Sequence, residues 1–471
     1  MTTLKKISLL SLTLLITGSI DSIRNLPATA LFGSSLIFFV AFAGVLFLLP
    51  TALVSAELAA NIDEGGIYQW TCLAFGKRIG FLAVWLQWVN NIFWFPTVLS
   101  FIAGTAAYLI NPILAQNKYY LVCAILVIFW FLTWVNLKGV HLSSKFAGIC
   151  TIVGLFIPVA SIIFLAGVWL VSHQPIQIHV AATSIFPHIT EMNHWIALTA
   201  IMLSFTGMEL TTVHIKEVHE PVRSFPKALA YASIIILLTM MLGSLAIAFV
   251  IPYDQINLVN GTIQTFTYFL SVYHFSYLVP LFTVLLVVGS IGGLMSWVSG
   301  PIRGLSQAAN HRFLPPFFQT LNRHHVPKNL LITQAFLVSI VGGAYLLIPN
   351  INSVFWLLMA LATQLYMLMY VIMFLAALKL RHRLIPNNRN TFRIPGERVG
   401  TSVVCLLGLL GCAITLCVGF IPPPFYTGNY YYYEALFLSS MLAMLLPIIL
   451  FFSYHASSRK KSTTISKVIS H

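Results

Sequence analysis

Apolar runs of about 20 residues follow one another along almost the whole chain. A helix needs a run of that length to cross a hydrocarbon core roughly 30 Å thick. With 59% of the 471 residues hydrophobic, 8% charged and a mean hydropathy of +0.90, no soluble surface can be drawn from this chain. The fold class that follows is an all-α integral membrane protein. The pattern predicts about twelve transmembrane helices, near residues 7–32, 34–60, 81–110, 119–137, 146–171, 194–215, 228–252, 275–305, 329–348, 352–379, 400–421 and 433–453. Between them no segment is long enough for a soluble domain of ordinary size.

Two of these stretches are interrupted by Gly and charge. The first reads Gly18-Ser19-Ile20-Asp21-Ser22-Ile23-Arg24-Asn25-Leu26-Pro27, the second Ser204-Phe205-Thr206-Gly207-Met208-Glu209-Leu210. A broken membrane helix exposes backbone dipoles at bilayer depth, where they can hold a small charged substrate. Gly18 and Gly207 are the expected break points. Each break opens a block of five spans, the placement expected of inverted repeats over about 7–171 and 194–379. The alternative, that these Gly residues serve only close helix packing, stays open. After this ten-helix core (1–379) the reading places a basic cytoplasmic loop at 380–399, two extra carboxy-terminal helices at 400–453, and a short cytoplasmic tail from 454 to 471, Ser/Lys-rich and expected to be disordered.

The net charge of +14 sits in short loops rather than on one face, which argues against nucleic acid as a partner. Topology accounts for it. With the amino terminus inside, one side receives Lys5, Lys6, Lys77, Arg78, Lys138, Lys145, Lys216, Arg223, Lys227, Arg303, Arg312, Arg323, Lys328, six basic residues between 379 and 398, and the tail, against Lys118 on the other. Both termini are therefore expected to be cytoplasmic, in a multi-pass protein of a bacterial inner membrane. The first segment also has the three parts of a cleavable signal peptide, but Asp21 and Arg24 directly after its apolar region fit a broken helix better. Cys72, Cys123, Cys150, Cys405, Cys412 and Cys417 follow no metal-ligand spacing and read as packing thiols; no metal and no cofactor is expected.

Ionisable groups within the hydrocarbon are costly enough to be functional candidates. Asp21 and Arg24, three apart, either pair with each other on one helical face or meet the charged ends of a substrate. Glu209, two residues past Gly207, is the candidate proton-coupling residue, against a plain packing role. Tyr366 and Tyr370 are one turn apart, so both hydroxyls can face one cavity. Asn90 and Asn91 are polar at mid-membrane, with no sign of which faces inward. Glu57, near Asn61 and Asp63, reads as an interface residue. The loop Asn61–Trp70 reads as interfacial or re-entrant, and Glu220–Pro226 as a stiff inner connection.

Several segments together resemble the amino acid, polyamine and organocation transporter superfamily, and within it the bacterial glutamate:GABA antiporters. They are Pro27 through Phe39, Ala56-Glu57-Leu58-Ala59 with Glu64 through Trp70, Leu203 through Glu209, Ser296 through Gly304, Tyr366 with Tyr370, and Phe392 through Gly396, spread in order over about 450 residues. The resemblance implies a five-plus-five inverted-repeat core with discontinuous helices 1 and 6, working by alternating access. The candidate substrate site comprises Ile20, Asp21, Ser22, Arg24, Phe205, Thr206, Gly207, Tyr366 and Tyr370; of the candidates, the resemblance matches Glu209 to the family's sixth-helix glutamate and the two Tyr residues to tyrosines of its tenth helix. Family members exchange an acidic amino acid for its decarboxylated amine. Three departures stand out: Asp21 and Arg24 occupy a break that is elsewhere Gly-rich, the chain ends about 18 residues after span twelve, where some members carry a long plug, and span five has no Lys.

The reading is therefore a proton-influenced amino acid antiporter or symporter, not an enzyme, whose partners are a small amino acid or amine and the bilayer. A cationic amino acid or polyamine exchanger is the alternative, favoured if Asp21 and Glu209 are both ionised and face the cavity. A transporter-like amino acid sensor, which binds without flux, is the rival from a different class. Protein partners do not follow from the sequence.

Overall fold

The computed structural model describes residues 8–62, 66–139, 149–178, 182–187, 192–210, 218, 221–309, 313–381, 392–423, 425–426 and 428–469. Lys5, Lys6, Asp63, Glu64, Gly65, Lys145, Lys216, Glu220, Arg312 and most of the basic loop, 382–391, lie outside the described residues, as does 211–215 of the sixth predicted span.

Helices account for nearly all of it. Among the described residues, ten helices are long and apolar enough to cross a membrane. In chain order the elements that matter here are α1 (Leu9–Ile20), α2 (Leu26–Ala30), α3 (Gly33–Asn61), α4 (Ile67–Phe75), α5 (Lys77–Ala106), α6 (Lys118–Leu137), α7 (Ile149–Val171), α8 (Ala197–Ser204), α9 (Pro221–Val250), α10 (Gly261–Val272), α11 (Val279–Ala309), α12 (Lys328–Gly342), α13 (Ile351–Arg381), α14 (Glu397–Val418) and α15 (Tyr430–Ile469). The ten spans agree with the predicted boundaries to within a few residues at most ends. The two predicted spans missing from the ten are the two interrupted ones: the first is divided after Ile20, and of the sixth the described part is the shorter apolar stretch Ala197–Leu210.

Helices α5 and α13 form the centre. Over their most apolar windows 78% and 83% of the residues are buried, against 11% for α15, so the last helix lies at the periphery. Around α5 pack α13, α11, α4 and α6, while α1 lies along α9. Helix α7 meets α11 at Gly154 and Gly289. A Cβ at either would run into the other's backbone, so the two helices touch main chain to main chain. A π-helical turn at Ile152–Phe156 offsets the helical register at this contact, and another lies at Gly44–Leu48 in α3.

Four expectations need correction. The first break does not lie at Gly18, which sits inside α1 with its Cα against the Thr151 side chain, a packing glycine. Asn61–Trp70 is only partly a loop: from Ile67 the chain is helical, and Ile67, Tyr68 and Trp70 are buried against α5 and α13 because their apolar surface has a core to enter. The Pro-bracketed connection is instead the first turns of α9, since Pro221 at a helix start gives up a hydrogen bond that has no partner there anyway. The tail expected to be disordered continues α15 to Ile469; no Gly or Pro after Tyr454 stops the helix.

At its other end the chain fastens α3 to α13. Glu57, expected at an interface, is buried, makes an ion pair with Arg381, and accepts from Thr401 Oγ1 of α14 at 3.5 Å. Asn61 Nδ2 donates to the Glu57 carbonyl at 2.7 Å and to the Phe392 carbonyl at 3.1 Å, tying in the segment ahead of α14.

Candidate functional site

The first break is made by Pro27. Its ring would clash with the carbonyl of Ile23 in a continuous helix and it has no N–H to give that carbonyl. The chain responds by running extended through Asp21 (φ −67°, ψ 133°) and Ser22 (φ −143°, ψ 113°), then turning through a short 3-10 segment, Ile23–Asn25, into α2. The freed Ile23 carbonyl is taken by Thr262 Oγ1 of α10 at 3.1 Å. The second break follows α8. Phe205 and Thr206 leave the helix, and Gly207 adopts φ +110°, a conformation that side-chain-bearing residues rarely take. There Thr206 Oγ1 donates to the Leu203 carbonyl at 2.7 Å, and the Gly207 N–H donates to the Tyr370 hydroxyl at 2.7 Å.

Between the two breaks lies a partly open cavity. It is lined by Gly18 through Asn25 on one side, Asn90, Asn91 and Trp94 of α5, Cys150, Thr151 and Gly154 of α7, Leu203 and Thr206 at the second break, Ser290, Gly293 and Trp297 of α11, and Tyr366 of α13. Of the residues predicted for the site, Ile20, Asp21, Ser22, Arg24, Thr206 and Tyr366 line it. Phe205, Gly207, Glu209 and Tyr370 are not among its lining residues and stand behind that wall. Asn90 and Asn91 both line it, each donating to the Gln87 carbonyl at 2.6 Å.

Asp21 and Arg24 do not pair. The extended residues at 21 and 22 break the helical spacing that would have stacked them, so Asp21 turns to α9, where Thr239 Oγ1 donates to its Oδ2 at 2.6 Å. Arg24 turns to α5. Its Nη1 donates to Thr97 Oγ1 at 2.5 Å, and its Cζ lies 5.1 Å from the centre of the Trp94 ring. Trp94 continues to Trp297, 5.1 Å between ring centres, and the Trp297 indole stands 3.4 Å from where a Cβ on Gly207 would be. Two indoles in tilted contact thus join the two breaks.

Behind Tyr366 the Glu209 carboxyl gathers three donors: Tyr366 Oη at 2.6 Å and Gln87 Nε2 at 3.1 Å to Oε1, and Tyr370 Oη at 2.5 Å to Oε2. Tyr370 therefore bridges Glu209 to the broken backbone at Gly207. Such a carboxyl can be held ionised, accepting from all three, or protonated, with one hydroxyl turned to accept. Sequence reasoning missed Gln87, Trp94, Thr97, Thr239 and Trp297. Gln87 was findable, since it lies four residues before Asn91 on one helix face; nothing marks the two Trp residues apart from ordinary packing. Among the described residues no group of three His, Cys, Asp or Glu comes together that could hold a metal ion.

Comparison with known proteins adds a common theme. A family model described as amino acid permease matches residues 7–446. An uncharacterized transporter of Legionella pneumophila is 37% identical over 420 residues, covering 89% of this chain and 90% of the relative. A glutamate/gamma-aminobutyrate antiporter of Lactococcus lactis is 29% identical over 431 residues, 90% of this chain and 86% of the relative. A probable agmatine/putrescine antiporter of the same species is 23% identical over 382 residues, 80% of each.

Proposed function

Because the chain belongs to the amino acid permease family, we propose that it is a secondary active exchanger of small amino acids, of the glutamate/GABA type, working by alternating access around the cavity between its two breaks. One observation carries the reading: the cavity is lined by an acid, Asp21, and a base, Arg24, that are not paired with each other, beside backbone opened at two breaks. Opposite unpaired charges within one small cavity suit a solute that itself bears a carboxylate and an ammonium. Family membership makes the protein a multi-pass membrane protein, and we place it in a bacterial inner membrane with both termini cytoplasmic. The five-plus-five repeat, with the halves 7–171 and 194–379 followed by two further helices, belongs to the same proposal.

Glu209 is the proposed proton-coupling residue. Protonation gives its carboxyl a hydrogen to donate, and a neighbour able to accept can take it up. Tyr366 and Tyr370 are able to reverse, as hydroxyls; Tyr366 would then present its changed hydroxyl to the cavity, and Tyr370 would loosen Gly207. The test is uptake of labelled glutamate into proteoliposomes preloaded with GABA, glutamine, arginine or buffer, across pH. Uptake stimulated by GABA supports the reading. Glutamate or GABA that binds without flux under any preload moves the protein to the sensor class, and flux of arginine or putrescine alone moves it to the polyamine class.

A further inference from the structure

Arg24 is 2% exposed, and a buried cation needs an anion. None is given to it by the described residues. Its Nη1 is spent on the neutral hydroxyl of Thr97, its Nε has no partner, and the nearest acid along the chain, Asp21, is engaged with Thr239 on another helix. Yet the side chain is not loose. Its Cζ lies 5.1 Å from the centre of the Trp94 ring, Thr97 holds its Nη1, and the residue lines the cavity. A guanidinium that lines the cavity with its buried Nε unpartnered still has donors to give, and a planar donor fork suits the two oxygens of a carboxylate.

We propose that Arg24 is the carboxylate anchor of the cavity, so that every solute the protein carries, in either direction, must present a carboxylate. The inference rests on the amino acid reading and sharpens it. Exchange of two carboxylate-bearing solutes is permitted; a diamine, or an amino acid whose carboxylate has been converted to an amide, is rejected. The rejection has two sources. An uncharged amide leaves the guanidinium without its counter-ion, and an amine brings a second cation to it. Trp94 and Thr97 are positioning residues in this scheme, since they hold the fork and need not touch the solute.

The test uses the full chain in proteoliposomes, with counterflow of labelled GABA or glutamate and three competitors: GABA, its amide 4-aminobutanamide, and putrescine. Wild type is expected to be inhibited by GABA at least about 100-fold more strongly than by the amide, and not by putrescine. Arg24→Gln is expected to raise KM for GABA about 10- to 100-fold, the loss of a charge-assisted contact, and to bring GABA and its amide within a few-fold of each other. Arg24→Lys keeps the charge without the fork; it should still reject the amide, at an intermediate KM. An amide competing within about threefold of GABA on wild type overturns the proposal, and so does Arg24→Gln that keeps wild-type discrimination. If Arg24→Gln fails to fold, judged by gel filtration, the wild-type comparison and Arg24→Lys decide. Should wild type carry neutral amino acids instead, the glutamate/GABA reading falls while the anchor is tested with each carried amino acid against its own amide. Transport of diamines alone overturns both.

Discussion

Removing the Tyr370 hydroxyl asks whether the Glu209 cluster holds a charge. The hydroxyl donates to Glu209 Oε2 at 2.5 Å and accepts from the Gly207 N–H at 2.7 Å. Neutral hydrogen bonds between membrane helices average about 0.6 kcal/mol in double-mutant cycles, with a maximum near 1.7, whereas bonds to charged groups are worth about 1.5–3 kcal/mol. If Glu209 is ionised in this conformation, its bonds fall in the charged class. A cycle of Tyr370→Phe and Glu209→Gln, read by equilibrium unfolding in mixed micelles, should therefore give a coupling of about 2 kcal/mol or more. Tyr370→Phe should also cost about 1–3 kcal/mol more than Tyr366→Phe, because it additionally strips the partner from a buried backbone N–H. A coupling of about 0.6 kcal/mol or less, or equal costs for the two Tyr variants, refutes the reasoning.

Three other substitutions follow from the geometry. Gly207→Ala places a side chain at φ +110° and should cost about 1–3 kcal/mol of stability, with loss of uptake, measured by thermal unfolding beside flux. Gly154→Ala drives a methyl group into the backbone of Gly289, which no rotamer change relieves; α7 and α11 must separate, and both folded yield and transport should fall sharply. Arg381→Ala leaves the buried Glu57 carboxylate without its cation, at about 1–3 kcal/mol because the pair is partly screened by solvent, and pairing it with Glu57→Gln should recover much of that loss.

The membrane spans were legible because the bilayer dictates length and composition, and those are properties of sequence alone. The second break was legible for a related reason: Gly207 stands where only a residue without a Cβ is comfortable. The first was misplaced by three residues. Gly18 drew attention as a glycine, while the break follows from Pro27, whose effect reaches back four residues to Ile23. Tyr366, Tyr370 and Glu209 were each picked out from the sequence, and the structure brings them into contact. The parting of Asp21 and Arg24 was not legible. It depends on Thr239 and Thr97, more than 200 and more than 70 residues away along the chain, and on which helices the fold brings beside the break.

The central claim is that the cavity between the two breaks is where the transported amino acid binds. A single cysteine replacing Thr206, in a chain whose own six cysteines including the cavity-lining Cys150 have been replaced, reports on it directly. Its rate of labelling by a small water-soluble thiol reagent is followed with and without saturating amounts of an amino acid the same preparation transports. The account predicts labelling in the absence of substrate and protection in its presence, lost when Arg24→Gln is added. Labelling at an unchanged rate while the amino acid is being carried would contradict it.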